Sequence, residues 1–344
     1  LSSVIEPLMS RVLERVALEN AYDGETEKER RTRRRLHRCC EALDTLSSVR
    51  GWKVCVRFYP NDAKHLEPAV RLLSRSRGLV EFGWSTQRVF LCWLSILALT
   101  PFDLVSIDSA VDAAGQQIPN VVKELVHECK HCLGEPGVTR DAAAVTLAKL
   151  LTRPDMSPGR TAFVEWSIKA LQGHVRDSGA ETFLIPGVLK ALSAIYKTGT
   201  REALLKDAEN MWSITERIFH SEHAASSTLV RQLSVKLATR VGLVFMKPQV
   251  IAWRYDRGAR CLQDNLGKSS AINAQEHLLH SSTHGNAPSE AGVNDNEENI
   301  VDVHRAIDDI VELFLVGLRD VDTVVRWSSA KGIGRIASRL PRDF

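Results

Sequence analysis

Apolar side chains recur at helical spacing along nearly the whole of this 344-residue chain. A stripe of that period covers one side of an α-helix and leaves the other side wet. Each such helix therefore needs a neighbour to bury its stripe. Residues 1–18 read as an amphipathic helix rather than a secretory leader. Residues 161–172 place Phe163, Trp166, Ile168, Ala170 and Leu171 on a broad stripe. Residues 186–196 start with a proline in the first turn and carry Val188, Leu189, Leu192 and Ile195. Residues 300–318 carry Ile300, Val303, Ile307, Ile310, Val311, Phe314, Leu315 and Leu318. Between these stretches fall Pro60, Pro68, Pro101, Pro119, Glu135-Pro136-Gly137, Pro154, Pro158 and Pro186. The pattern predicts many short helices with short connections. The best strand signal is the alternation of Trp52, Val54, Val56 and Phe58, which is too short to separate strand from helix by period alone. No regular strand–helix alternation points to a parallel sheet.

Three stretches resemble one another. They run from Val138 through Arg140, Asp141 and Ala142 to Ala148, from Leu229 through Arg231 to Ala238, and from Val324 through Arg326 and Trp327 to Gly334. Each puts an arginine at the start of a helix, with small or aliphatic residues on one face thereafter. Successive arginines lie about two helical-hairpin repeats of ~40–47 residues apart. Around Asp320, Asp322, Val325 and Arg326 the spacing resembles the second helix of a HEAT repeat. The expected fold is all-α, an α-solenoid of HEAT/armadillo-like helical hairpins. Hairpins of this kind cannot bury both stripes alone, so neighbours must stack. Ala142 to Ala144 let adjacent second helices approach closely. Arg140, Asp141, Arg231, Asp320, Asp322, Arg326 and Trp327 form the expected ladder, with Asp and Arg bridging successive repeats. The domains are expected at 1–266 for the N-terminal repeats, 267–299 for a mobile acidic and polar loop, and 300–344 for a further repeat cut short. Leu1 is not an initiator methionine and Phe344 follows a helical pattern, so the chain reads as a piece of something longer.

Composition removes several classes. Hydrophobic residues make up 44% and charged residues 25%, which excludes a wholly disordered or collagen-like chain. Lys plus Arg is 45 against 42 for Asp plus Glu. A net charge of +3 gives no global field for nucleic acid, so no nucleic-acid partner is expected. The longest apolar run, Val89 to Thr100, is short of the roughly 20 residues a membrane span needs, so no membrane partner is expected either. Cys39, Cys40, Cys55, Cys92, Cys129, Cys132 and Cys261 are odd in number and scattered, and read as reduced, buried thiols.

Few motifs carry chemistry. His127-Glu128-Cys129-Lys130-His131 has the zincin spacing: on a helix His127 and His131 lie one turn apart, and Glu128 would act as general base. The third ligand of the longer zincin motif would fall on Gly137, and no sheet signal precedes the helix. The competing reading is the polar edge of an amphipathic helix whose apolar side is Val121, Val122, Leu125 and Cys129. Leu266-Gly267-Lys268-Ser269 ends like a phosphate-binding loop, but Leu262 stands where its first glycine belongs. Gly332-Ile333-Gly334 reads as close helix packing. The run Arg30, Arg31, Arg33, Arg34 and Arg35, ending at Arg38, could meet an acidic partner or form a solvated helix face. Arg254 and Arg257, set among aromatic residues, could stack on rings or meet carboxylates.

The stretch Asp322-Thr323-Val324-Val325-Arg326-Trp327-Ser328-Ser329-Ala330-Lys331-Gly332-Ile333-Gly334-Arg335, followed by Arg339-Leu340-Pro341-Arg342, resembles the tubulin-folding cofactor D family. Three further places agree with it. They are Lys247-Pro248 with Ala252-Trp253-Arg254-Tyr255 and Arg257-Gly258, then Arg140 to Val145 with Thr152-Arg153-Pro154-Asp155, and Val49-Arg50-Gly51 with Leu94-Ser95 and Pro101-Phe102-Asp103. The resemblance implies a HEAT-repeat chaperone of the cytoplasm, associated with the cytoskeleton, that is not an enzyme and needs no cofactor. It implies that such a protein holds β-tubulin. With tubulin-folding cofactors E and C and an Arf-like small GTPase it would assemble or disassemble the αβ-tubulin dimer and stimulate GTP hydrolysis by tubulin. H-E-x-x-H is not part of the family pattern. The alternatives are a transport-receptor-like HEAT scaffold and, well behind it, a zinc hydrolase through His127, Glu128 and His131.

Overall fold

The computed structural model describes residues 1–18, 27–76, 82–106, 118–176, 183–248 and 305–340. Among them the regular elements are all helical. The chain runs α1 (Ser2–Leu18), α2 (Glu27–Arg50), the short α3 (Trp52–Cys55), α4 (Leu66–Ser76), α5 (Trp84–Leu97), α6 (Asn120–Leu133) and α7 (Val138–Leu151). It continues through α8 (Ser157–Arg176), α9 (Leu184–Thr198), α10 (Arg201–Phe219), the short α11 (Glu222–Ser226), α12 (Thr228–Phe245), α13 (Ala306–Leu318) and α14 (Thr323–Ala337). The long helices pair as antiparallel hairpins: α1 with α2, α4 with α5, α6 with α7, α8 with α9, α10 with α12, and α13 with α14. The second helices α2, α5, α7, α9, α12 and α14 then lie side by side in chain order. This is the expected α-solenoid.

Proline placement explains several helix starts. Pro68, Pro158 and Pro186 sit in the first turns of α4, α8 and α9, where the missing N–H has no intrahelical partner to lose. Other starts are capped by side chains. The Asp322 carboxylate accepts the Val324 N–H of α14 at 2.8 Å, and the Ser227 hydroxyl accepts the Val230 N–H of α12.

Residues 52–58 form α3 and a following 3₁₀ turn, not a strand. The alternation is overridden by a second pattern. Cys55, Val56 and Tyr59 fall at helical spacing after Trp52 and are buried, whereas Val54, which the alternation would bury, is 41% exposed. Gly51, at φ 86°, supplies the left-handed residue that separates α2 from α3.

One continuous core runs between the layers, with Phe90, Trp93, Phe163 and Phe314 fully buried. Ala142, Ala143 and Ala144 are buried in α7, which packs on α5 and α9 on its two sides. Six of the seven cysteines are free and buried, and Cys261 lies outside the described residues. Burial pushes the Cys92 thiol up to about 11, which leaves it protonated and unreactive.

Gly187 marks the tightest approach of two hairpins. A Cβ there would stand 2.0 Å from the Leu133 carbonyl oxygen at the end of α6. Backbone cannot swing aside as a side chain can. Gly187→Ala is expected to lower stability by about 1–3 kcal/mol in urea unfolding. Gly334→Ala, in α14 with open space around it, is expected to raise stability by about 0.5–1 kcal/mol.

Candidate protein-binding surface

The arginines at the helix ends act within the stack. Arg231, in the first turns of α12, holds Asp320, which precedes α14, through Nε at 2.6 Å and Nη2 at 3.2 Å. The same guanidinium donates to the Ala224 carbonyl at 2.7 Å. Arg326, at the matching place in α14, donates to the carbonyls of Asp320 and Val321 and to the Thr323 hydroxyl. Arg140 is buried and lies 4.0 Å from Asp141. Asp141 instead pairs with Lys190 of α9. Trp327 is 61% exposed on α14, with the Lys331 ammonium 4.5 Å over its ring.

A second arginine device escaped the sequence reading. Arg153, just past α7, donates to the carbonyls of Ala98 at 2.9 Å and Thr100 at 2.7 Å beyond α5, and forks onto Asp155. Arg339, at the corresponding place past α14, donates to the Leu243 carbonyl at 2.6 Å and to that of Met246 at the end of α12. Each guanidinium satisfies carbonyls that the preceding second helix leaves unpaired, at the negative end of its dipole. The signal was present as Thr152-Arg153 and Ser338-Arg339, each closing a repeat.

The basic run lies on α2. Arg30, Arg31, Arg34 and Arg35 are exposed and Arg33 is half-buried. Arg35 and Arg38 line a groove of about 650 Å³ with Arg11, Glu14 and Arg15 of α1. Arg254, Arg257 and the 267–299 segment lie outside the described residues.

His127 and Glu128 line a shallow depression between α4 and α6 together with Arg71, Arg75 and Lys123. Glu128 is buried, and His131 lies 3.6 Å from Glu135. Val121, Val122, Leu125 and Cys129 are buried on the other side of α6. Among the described residues no three His, Cys, Asp or Glu side chains are grouped so as to hold a metal ion. His127 and Glu128 thus face the basic side chains of α4, while the apolar residues of α6 pack on its other side.

A second accumulation of positive charge was not predicted. The adjacent second helices α9, α12 and α14 carry Lys190, Lys236, Arg240 and Arg335, which are half-buried, and Lys331, which is exposed. Burial, and then the charges of Lys190, Lys331 and Arg240, hold the Lys236 ammonium below its ordinary proton affinity; Asp141 opposes this. Arg240 is lowered by burial and by Arg335. Toward α5 the row continues as Lys149, which donates to the Ser95 hydroxyl at 3.2 Å, and Arg88, paired with Asp44 at 2.5 Å. Lys149, Arg240 and Arg335 stand at the same offset from Arg140, Arg231 and Arg326, so the repeat alignment already contained this row.

A family model described as "Tubulin-specific chaperone D-like, ARM repeat" matches residues 1–171. A second, described as "Tubulin-specific chaperone D-like, ARM repeats", matches residues 229–344. The chain belongs to the tubulin-specific chaperone D-like family. A curated relative, "Tubulin-specific chaperone D" of Dictyostelium discoideum, is 28% identical over 284 residues, covering 76% of this chain and 19% of that protein. Another, "Tubulin-folding cofactor D" of Schizosaccharomyces pombe, is 23% identical over 295 residues, covering 85% of this chain and 22% of that protein. This member of the family therefore spans about a fifth of the length of the curated relatives it matches. No solved structure matches it. No helix among the described residues is long and apolar enough to cross a membrane.

The arginine devices give two expectations for this family member. Arg153→Ala leaves Asp155 and three carbonyls without their donor, and should cost about 2–3 kcal/mol in urea unfolding. Desolvation raises the Asp320 pKa, but the Arg231 hydrogen bonds and the Asp322 N–H outweigh it, leaving the carboxyl below its ordinary 3.8. Because the folded value is depressed, the resulting stabilisation is present above 3.8 and is lost as pH falls from 3.8 through the lower folded value. Asp320→Asn should therefore flatten the loss of stability measured between pH 5 and pH 3.

Proposed function

We propose that this chain is part of a tubulin chaperone and works as a non-enzymatic scaffold that grips β-tubulin. The observation that carries the reading is the ordered match of both tubulin-specific chaperone D-like repeat models to two separate parts of one chain. The fold supports it physically. Stacked hairpins present a long row of exposed helix faces, suited to holding a folded protein rather than enclosing a small substrate. The burial of Glu128 and the engagement of His131 by Glu135 support the non-enzymatic reading.

In this proposal the larger protein acts in the cytoplasm, beside the cytoskeleton. It works with tubulin-folding cofactors E and C and an Arf-like small GTPase to assemble and disassemble the αβ-tubulin dimer, and the full assembly stimulates GTP hydrolysis by tubulin. Residues 1–266 and 300–344 supply repeats, and 267–299 is a loop inserted between them. Arg30, Arg31, Arg33, Arg34 and Arg35, with Arg254 and Arg257, contribute contacts to the client.

The purified chain, mixed with αβ-tubulin and passed over a sizing column in low salt, is expected to co-elute with it. Simultaneous Arg33→Glu, Arg34→Glu and Arg35→Glu substitution should weaken the complex at least tenfold in 50 mM salt, with the difference shrinking as salt rises. Separate elution of the unaltered chain and tubulin at every salt concentration would remove the tubulin reading from this part of the protein.

A further inference from the structure

We propose that the partly exposed cationic face shared by α9, α12 and α14 is a docking site for an extended, carboxylate-rich protein segment. The inference rests on the reading of the chain as a protein-binding scaffold and gives that scaffold a specific address.

Five cations stand there on three adjacent helices: Lys190, Lys236, Arg240, Lys331 and Arg335. Within α12 and within α14 the two cations are one turn apart, about 6 Å. Neighbouring helix axes lie about 8–10 Å apart. The face is thus a lattice of positive charge. An extended peptide places same-side residues about 7 Å apart, so alternate acidic side chains match the spacing within each helix.

The lattice is neutralised from within only at Lys190. Asp141 is already engaged by Lys190, and among the described residues Lys236, Arg240 and Arg335 carry no ion pair. Stacking in register has forced like charges together, and the lowered proton affinities of Lys236 and Arg240 report that crowding as well as burial. An incoming carboxylate would relieve it. At the N-terminal end of the α14 stripe, Trp327 is 61% exposed and Val324 47% exposed. They offer an apolar anchor beside the cations, so an acidic run flanked by a large apolar residue fits best. A nucleic-acid strand fits less well, because among the described residues Trp327 is the one exposed ring on this face, and a single ring gives no series on which successive bases could stack.

The probe is a fluorescent octaglutamate peptide carrying one tryptophan, read by anisotropy against the purified chain in 50 mM salt. Binding is expected, with a steep loss on raising salt. Lys236→Glu with Arg240→Glu, and independently Lys331→Glu with Arg335→Glu, should each weaken binding at least tenfold. Lys206→Glu with Arg217→Glu, on exposed positions of α10, should change it less than twofold. Thermal unfolding of each variant identifies any that fails to fold, and the second pair then decides. Absence of peptide binding by the folded unaltered chain, equal loss in the α10 variant, or tighter binding of a single-stranded oligonucleotide would each overturn the proposal. Because tubulin is absent from this assay, peptide binding without tubulin co-elution would sink the tubulin reading alone. Co-elution that both inner pairs leave intact, with no peptide binding, would sink this site alone.

Discussion

The close approach of consecutive second helices is the contact on which the rest of the molecule depends. It is made by residues with almost no side chain. Ala142 to Ala144 line α7, and a Cβ on Gly332 of α14 would lie 2.9 Å from the Thr239 hydroxyl of α12 and 3.0 Å from the Phe314 ring. At that separation the aliphatic stripes of α12, α13 and α14 interdigitate, and Phe314 and Ile310 become fully buried. A single hairpin could not do this, because half of each stripe would remain in water. Wider spacing would open voids between layers, and each void forfeits dispersion contacts as well as apolar burial.

The same contact fixes what the surface looks like. Helices that stack in register repeat their positions outside the core in register too. Arg231 and Arg326 occupy one such position, Lys236 and Lys331 the next, and Arg240 and Arg335 the one after. A cation at a repeated position outside the core therefore becomes a row of cations, whatever the sequence distance between its members. The net charge of +3 conceals this, because the balancing acids lie elsewhere on the molecule.

Helical period made the fold legible. The stripes at 161–172 and 186–196 fall within α8 and α9, and the small-residue runs lie where second helices meet. Residues 52–58 were ambiguous because two periods overlap on the same seven side chains. Burial decided for the helical one through Cys55 and Tyr59, and period alone carries no information about burial. The surface was legible only in part. A run of adjacent arginines such as 30–35 is visible in one dimension. A row assembled from α9, α12 and α14 is not, until the repeats are laid over one another beyond their first arginine. The H-E-x-x-H string shows the opposite failure. Its spacing suits a zinc site, but spacing along one helix says nothing about what faces that helix, and here Arg71 and Arg75 of α4 face it.

The arginines of the chain divide by where they sit on a helix. At a helix end a guanidinium meets unpaired carbonyls and the negative pole of the dipole, so Arg153 and Arg339 are consumed by the fold. Near a helix start, Arg231 and Arg326 reach back to the turn that precedes their own helix and are consumed as well. In mid-helix every backbone group is already paired, and a cation there finds a partner only in a neighbouring side chain. Arg88 finds Asp44 and Lys190 finds Asp141. On α12 and α14 the neighbouring helix offers another cation at the same position. Stacking that supplies the core thus withholds counter-ions from the middle of this face, so a carboxylate brought by another protein meets charge that the scaffold leaves unneutralised.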